Sequence, residues 1–267
     1  MPVKRFILAY NHNNILIIQF SKNVMDYARE IAKAGLEIGA FKINSEKPFE
    51  WASGYFMPVY NDNRMFLFNP QHRALVGDAL VKEASQIQAE VIAGTSTAGI
   101  PWGERLADKL NRNFVYVRDK PKDHGLRNQI EGIDAEKGLE GQRVLLIEDL
   151  VSTGGSSVKA VEAIRKADGI CNHCISIFNY EFDESSKLFR NMSPLCNVKS
   201  VLTYNTLFNV ARETGYINEE QARMLAGWKS DPFNWGEKHG FPRVDKSKSD
   251  TPRFPFTPES TKYQNEY

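Results

Sequence analysis

Residues 144–158, VLLIEDLVSTGGSSV, constrain the fold more than any other stretch of the chain. They open with an uninterrupted apolar run, Val144, Leu145, Leu146 and Ile147. Such a run, lacking polar alternation, predicts a strand buried on both faces of a parallel sheet. Glu148 and Asp149 follow where that strand would reach its carboxyl end, and ligands of open α/β sheets bind outside those ends. The small polar residues Ser152, Thr153, Gly154, Gly155, Ser156 and Ser157 come next, leading into the helical pattern VKAVEAIRKA. Free backbone N–H groups and hydroxyls at such a turn, together with the helix dipole, favour an anion. The stretch therefore suits a two-ended ligand, with a phosphate over the turn and sugar hydroxyls or metal-bound water at the carboxylates. A buried strand, a surface acidic pair and an ordinary Ser/Thr helix cap would carry the same letters. No Gly precedes a Lys and no G-x-G occurs, so the Walker A and dinucleotide fingerprints are absent.

The rest of the chain repeats the strand–turn–helix logic. Residues 89–93 form a short apolar run, followed by the turn and helix pattern GTSTAGIPWGERLADKL. Residues 114–117 predict a third strand, and 173–178 and 198–202 two more. Alternating short strands and helices predict an α/β fold with an open, mainly parallel sheet. Residues 26–38 read as an amphipathic helix, and Asn69-Pro70 as a helix start running to about Ser85. Residues 40–62 mix short β-prone runs with Pro, Ser and Gly, which predicts a small irregular β subdomain. Residues 205–213 and 218–228 predict two late helices, the second opened by an Asn218–Gln221 capping box. The domain is thus expected over 25–240, with its core at about 70–202, an extension at 1–24 and a mobile tail at 241–267.

Composition sets further bounds. Among 267 residues, 42% are hydrophobic and 25% charged, as in an ordinary globular protein. A net charge of +1 offers no broad nucleic-acid footprint. Three cysteines, an odd number, argue against a disulfide framework and suit a cytoplasmic protein. Cys171-Asn-His-Cys174 is a C-x-x-C without a second pair to complete a zinc site, and Cys174 falls in a predicted strand. Near the N-terminus, FILAY and ILIIQF are separated by NHNN; neither run approaches the roughly 20 apolar residues of a membrane span. This segment is either a strand or an adventitious extension, and residues 1–20 are expected to be dispensable. Trp228, Phe233 and Trp235 are expected to pack the C-terminal helices.

Residues 94–101, 118–132 and 148–157 would converge at one end of the sheet. They bring two anion-binding loops, a carboxylate pair and the cations Arg118, Lys120, Lys122 and Arg127. The long polar segment RDKPKDHGLRNQIEG between the third and fourth strands has the length of a functional loop. Such a set suits a sugar flanked by phosphates, with Lys and Mg²⁺ neutralising a pyrophosphate leaving group.

IEDLVSTGG resembles the 5-phosphoribosyl-1-diphosphate (PRPP) signature of type I phosphoribosyltransferases. VRDKPKDHG followed by IEG is similar to the catalytic loop of orotate phosphoribosyltransferases. FEWASG with PVYNDNR is similar to that family's base-site segment, and GTSTAGIP to its pyrophosphate-side loop. The resemblance covers roughly residues 25–240. It implies a type I phosphoribosyltransferase-like sheet flanked by helices, with a small N-terminal hood at about 40–62. It implies an enzyme that transfers the phosphoribosyl group of PRPP to orotate, with Mg²⁺ held mainly by PRPP and water. Ser152, Thr153, Gly154, Gly155 and Ser156 would cradle the 5-phosphate, and Glu148 and Asp149 would hold the ribose hydroxyls. Arg118, Lys122 and His124 would engage the pyrophosphate, with Lys122 and His124 catalytic. Tyr60, Ser152 and Tyr180 would surround the orotate. The loop would be shared between subunits of a homodimer. Ala52, the run Tyr55-Phe56-Met57, Ala98, Asp119 and Tyr180 depart from common family residues. A phosphoribosyltransferase for another base and a non-catalytic PRPP-binding regulator therefore stay open beside the orotate enzyme.

Overall fold

The computed structural model describes residues 6–10, 16–20, 25–120, 129–134 and 136–245. It divides into two compact units, residues 1–42 with 61–222 and residues 43–60 with 223–267. The first described elements, β1 (Phe6–Tyr10) and β2 (Leu16–Phe20), form an antiparallel hairpin with Phe6 opposite Phe20. Helix α1 (Tyr27–Glu37) follows, capped by Asp26, whose side chain accepts the Arg29 N–H at 3.2 Å. The short strands β3 (Phe41–Ile43), β4 (Phe49–Glu50), β5 (Phe56–Met57) and β6 (Val59–Asn61) come next. Helix α2 (Pro70–Ala84) starts at the expected place, with Asn69 accepting from the Gln71 N–H at 2.8 Å.

Strands and helices then alternate. They are β7 (Val91–Thr95), α3 (Ile100–Leu110), β8 (Asn113–Val117), a short β9 (Ile130–Glu131), β10 (Arg143–Val151), α4 (Gly155–Lys166), β11 (Ile170–Asn179), α5 (Asp183–Arg190) and β12 (Asn197–Thr203). The six strands make one sheet in the order β12-β11-β10-β7-β8-β9, parallel except at the β8–β9 pair. This is the open, mainly parallel α/β sheet that the alternation predicts.

Burial explains why the apolar runs became these strands. All of β7 is buried, as is β10 from Val144 to Glu148. Val144 and Leu146 pack in one core with Val161 and Ile164 of α4. Leu145 and Ile147, also without exposed surface, take the opposite face by strand alternation. Each such side chain contributes roughly 1.5–3 kcal/mol of burial. The strand runs further than the apolar run predicts, so Glu148 and Asp149 lie inside β10 and not after it. The ladder with β11 continues, setting Leu150 opposite Phe178 and Val151 opposite Asn179. The free thiols of Cys171, Cys174 and Cys196 are buried in the α4-side core.

The sequence pattern predicts no helix at α5, a short and highly polar element. Helix α6 (Tyr204–Glu213) is capped by Thr203. Helix α7 (Glu219–Ser230) opens with the expected reciprocal box: Asn218 accepts from the Gln221 N–H at 2.9 Å and Gln221 from the Asn218 N–H at 3.0 Å. The second unit joins the small β segment to the end of the chain. There β4 and β5 pair antiparallel, and Trp51 donates through Nε1 to the Val59 carbonyl at 3.0 Å. The fully buried Trp228 donates to the Met57 sulfur at 3.3 Å. In helix α8 (Pro232–Lys238), Phe233 sets its ring edge-on to Tyr55 at 5.3 Å. Trp228 and Phe233 thus pack the small β segment as well as their own helices. No helix among the described residues is long and apolar enough to cross a membrane.

Candidate active site

The carboxyl ends of β7, β8 and β10 border a cavity of about 330 Å³. The turn after β10 supplies Ser152, Thr153, Gly154 and Ser156 to its wall. Gly154 sits at the N-cap of α4 in the left-handed region, φ +84°, and no side chain caps this helix end. First-turn N–H groups therefore lack intrahelical acceptors and point toward an incoming anion. Glycine is needed at 154 on two grounds. Left-handed backbone disfavours a side chain, and a Cβ would lie 3.2 Å from both Phe189 and Ser185 of α5. Gly155, the first residue of α4, lies beside the turn, and Lys159 one turn on reaches the cavity wall.

Glu148 is 5% exposed, yet both its carboxylate oxygens are engaged. Oε1 accepts from the Thr95 hydroxyl at 2.7 Å and from the Asp149 N–H at 3.1 Å, and Oε2 from the Ser157 hydroxyl at 2.9 Å. Burial, and next the neighbouring Asp149 carboxylate, push the Glu148 carboxyl up to about 8, against the pull of the Thr95 and Ser157 donors. Burial raises Asp149 as well. Burial thus favours the protonated form at both carboxyls, most strongly at Glu148. The Asp149 backbone is held from behind. Its carbonyl accepts from Asn63 Nδ2 at 2.7 Å, and Asn63, fully buried, accepts in turn from Asn61 Nδ2 at 3.2 Å.

The loop after β7 forms the facing wall through Ser96, Thr97 and Ala98. It is folded tightly: the Gly99 N–H donates to the Thr95 carbonyl at 2.9 Å and the Ser96 N–H to Val117 at 2.8 Å. The Ser96–Thr97 peptide is cis. A Cβ on Gly99 would lie 2.7 Å from the Ile147 carbonyl, so the loop lies directly against β10.

At the end of β8, Arg118 reaches the cavity and pairs with Glu131 at 3.5 Å. Its N–H donates to the Gln129 carbonyl at 2.9 Å, and Gln129 Nε2 returns a bond to the Arg118 carbonyl at 2.8 Å. The two ends of the long polar loop are thus tied together at its stem. Lys122, His124 and Arg127 lie outside the described residues.

Of the expected site residues, Arg118, Glu148, Asp149, Ser152, Thr153, Gly154 and Ser156 come together around one cavity. Tyr180 does not line it. That ring is 1% exposed, stacked on Phe182 at 5.3 Å and edge-on to Phe178 at 4.9 Å. Tyr60 belongs to the second unit, its ring 5.5 Å from Phe49. Thr95, Gln129, Ser157 and Asn63 lie in stretches the sequence singles out but receive no role of their own there, and Lys159 lies outside those stretches. Lys159 had a readable signal, since it lies four residues after Gly155 on the same helical face. The pairing of Thr95 with Glu148 and of Asn63 with Asp149 had none, because the partners are distant along the chain.

Comparison with known proteins agrees with this geometry. Residues 65–201 match the phosphoribosyl transferase domain family. Orotate phosphoribosyltransferase of Cytophaga hutchinsonii is 40% identical over 213 residues, 79% of this chain and 99% of that protein. The orotate phosphoribosyltransferase of Streptococcus gordonii is 42% identical over the same shares. The solved orotate phosphoribosyltransferase of Aeropyrum pernix superposes with a TM-score of 0.58 at 26% identity, over 70% of this chain and 99% of that one. UMP synthase of Leishmania donovani superposes with a TM-score of 0.63 at 25% identity, over 76% of this chain; the match spans 42% of that longer chain. A parallel sheet with two loops and a carboxylate pair at its carboxyl edge, carried by a sequence 40% identical to such enzymes over nearly their whole length, places this chain in the orotate phosphoribosyltransferase family.

Proposed function

We propose that the protein transfers the 5-phosphoribosyl group of PRPP to orotate, giving orotidine 5′-monophosphate and pyrophosphate. The observation that carries this reading is one cavity joining the uncapped α4 N-terminus, the Glu148–Asp149 pair and the cations Arg118 and Lys159. The 5-phosphate would accept from N–H groups and hydroxyls of Ser152, Thr153, Gly154, Gly155 and Ser156, with Lys159 adding positive charge. Glu148 and Asp149 would accept from the ribose hydroxyls. Arg118, Lys122 and His124 would receive the pyrophosphate. As the bond from C1 to the pyrophosphate oxygen breaks, orotate N1 bonds to C1 and its proton passes to the departing pyrophosphate. Positive charge spreads over the ring as in an oxocarbenium ion. Lys122, on a long flexible stem, can follow the departing anion, and His124 can donate to it. Tyr60 and Ser152 are the candidates for holding the base. Tyr180, locked in its aromatic stack, would support the strand end beside it.

The reading includes Mg²⁺. The ion would be held mainly by PRPP oxygens and water. When bound, it would neutralise charge on the leaving pyrophosphate. A homodimer in which the loop after Arg118 serves the neighbouring site, and a cytoplasmic location, belong to the same proposal.

The test is pyrophosphate release from PRPP with Mg²⁺, offering orotate, uracil and purine bases in turn. Release with orotate alone supports the reading, and chelation by EDTA should stop it until Mg²⁺ is restored. Release only with another base would reassign the acceptor. PRPP binding without release would make the protein a regulator.

A further inference from the structure

We infer that Thr95 is a positioning residue that locks the pyrophosphate-side loop to the carboxylate pair through Glu148. The inference rests on the transferase reading above, and it concerns a residue that contacts no reacting atom in that reading. Thr95 ends β7 and is 7% exposed. Its hydroxyl has one proton to give. Two acceptors are near, the Ile147 carbonyl at 3.4 Å and Glu148 Oε1 at 2.7 Å, and the shorter bond selects Glu148. The same residue also closes the adjacent loop, since its carbonyl takes the Gly99 N–H at 2.9 Å. Gly99 packs so closely that a Cβ there would strike the Thr95 hydroxyl. One residue therefore fixes the 95–99 turn with its backbone and the ribose-side carboxylate with its side chain. Ser157, without exposed surface, grips the other carboxylate oxygen from the first turn of α4. Glu148 is thus a strut between the two anion-binding loops. Its length sets the spacing between the pyrophosphate and the 5-phosphate of one PRPP molecule.

The strut acts on PRPP and not on the base, so its loss should divide the kinetic constants. Thr95→Val keeps the shape and removes the hydroxyl. In the full-length protein, KM for PRPP should rise by about three- to tenfold, the scale of one hydrogen bond. KM for orotate should stay within about twofold and the melting temperature within a few degrees. Thr95→Ser, which restores the hydroxyl, should recover most of the PRPP affinity. Ser157→Ala should reproduce the same split and serves if Thr95→Val does not fold. The inference is overturned if KM for PRPP is unchanged in both hydroxyl-deleting variants, if both KM values rise together, or if Thr95→Ser is as impaired as Thr95→Val. Calorimetric titration with PRPP separates this from the functional reading. A wild type inactive with orotate would sink that reading, while a weaker Kd for PRPP in Thr95→Val would still support the strut.

Discussion

Replacing Glu148 with glutamine should make the protein more resistant to unfolding in alkali and change it little in acid. The carboxyl is 5% exposed and holds its proton to about 8, against an ordinary value near 4.5. A carboxyl whose affinity for protons is raised by folding stabilises the fold fully below its unfolded value. That contribution is lost as pH climbs through the folded value. At about 1.4 kcal/mol for each tenfold change in proton affinity, the gap corresponds to roughly 5 kcal/mol. Part of the rise comes from the neighbouring Asp149 carboxyl, and the pocket can relax around a charge, so about 2–4 kcal/mol is expected. Glutamine never ionises and can keep the contacts. Its Oε1 accepts from Thr95 and the Asp149 N–H, while its Nε2 donates to Ser157, whose hydroxyl turns to accept. The assay is urea unfolding of wild type and Glu148→Gln at unit steps from pH 5 to pH 9. Titrating groups remote from Glu148 are common to both proteins and cancel in the difference, leaving the Glu148–Asp149 pair as its source. The variant should gain on the wild type by about 2–4 kcal/mol across that range, mostly between pH 6 and pH 8. Parallel curves, or a variant that loses ground as pH rises, would refute the assignment of a buried, proton-bearing Glu148.

Other perturbations reach different parts of the site. Gly154→Ala places a side chain in left-handed backbone against Phe189 and Ser185. It should cost about 1–2 kcal/mol, lowering the melting temperature by about 2–8 °C, and it should weaken binding of inorganic phosphate measured by calorimetry. Lys122→Ala should leave circular dichroism and melting unchanged while kcat falls about a hundredfold or more; unchanged turnover would remove Lys122 from the mechanism. Asn63→Ala leaves the Asp149 carbonyl without its buried donor, so it should lower stability by about 1–3 kcal/mol in a denaturant titration. A variant as stable as wild type would show that water replaces the amide.

Much of the fold was legible because its signals are local. The run from Val144 to Ile147 could be buried only on both faces, and Asn69-Pro70 and the Asn218–Gln221 box carry their own caps within a few residues. Helix α5 was not legible because DESSKLFR has little apolar content and no side-chain cap. Its acidic first turn and basic last turn were the one readable sign. The donor-side residues were legible as a motif, since Gly154, Ser156 and the carboxylates are neighbours in sequence. What the motif could not give is which way the carboxylates face. Thr95 meets Glu148, and Asn63 meets Asp149, only after β7 and the 61–63 segment reach β10. Likewise the letters mark Tyr180 only by its place in a family pattern, while its burial follows from Phe178 and Phe182 on either side.

The cavity lining described here runs from Thr95 to Ala160, and the family match at residues 65–201 brackets it completely. Tyr60 and the unusual Tyr55-Phe56-Met57 run fall outside that match, in the other unit. The residues proposed to hold PRPP therefore lie in one uninterrupted stretch of chain, while Tyr60, one of the two candidates for the base, lies outside it. Substitution of Tyr60 should then alter KM for the base more than KM for PRPP.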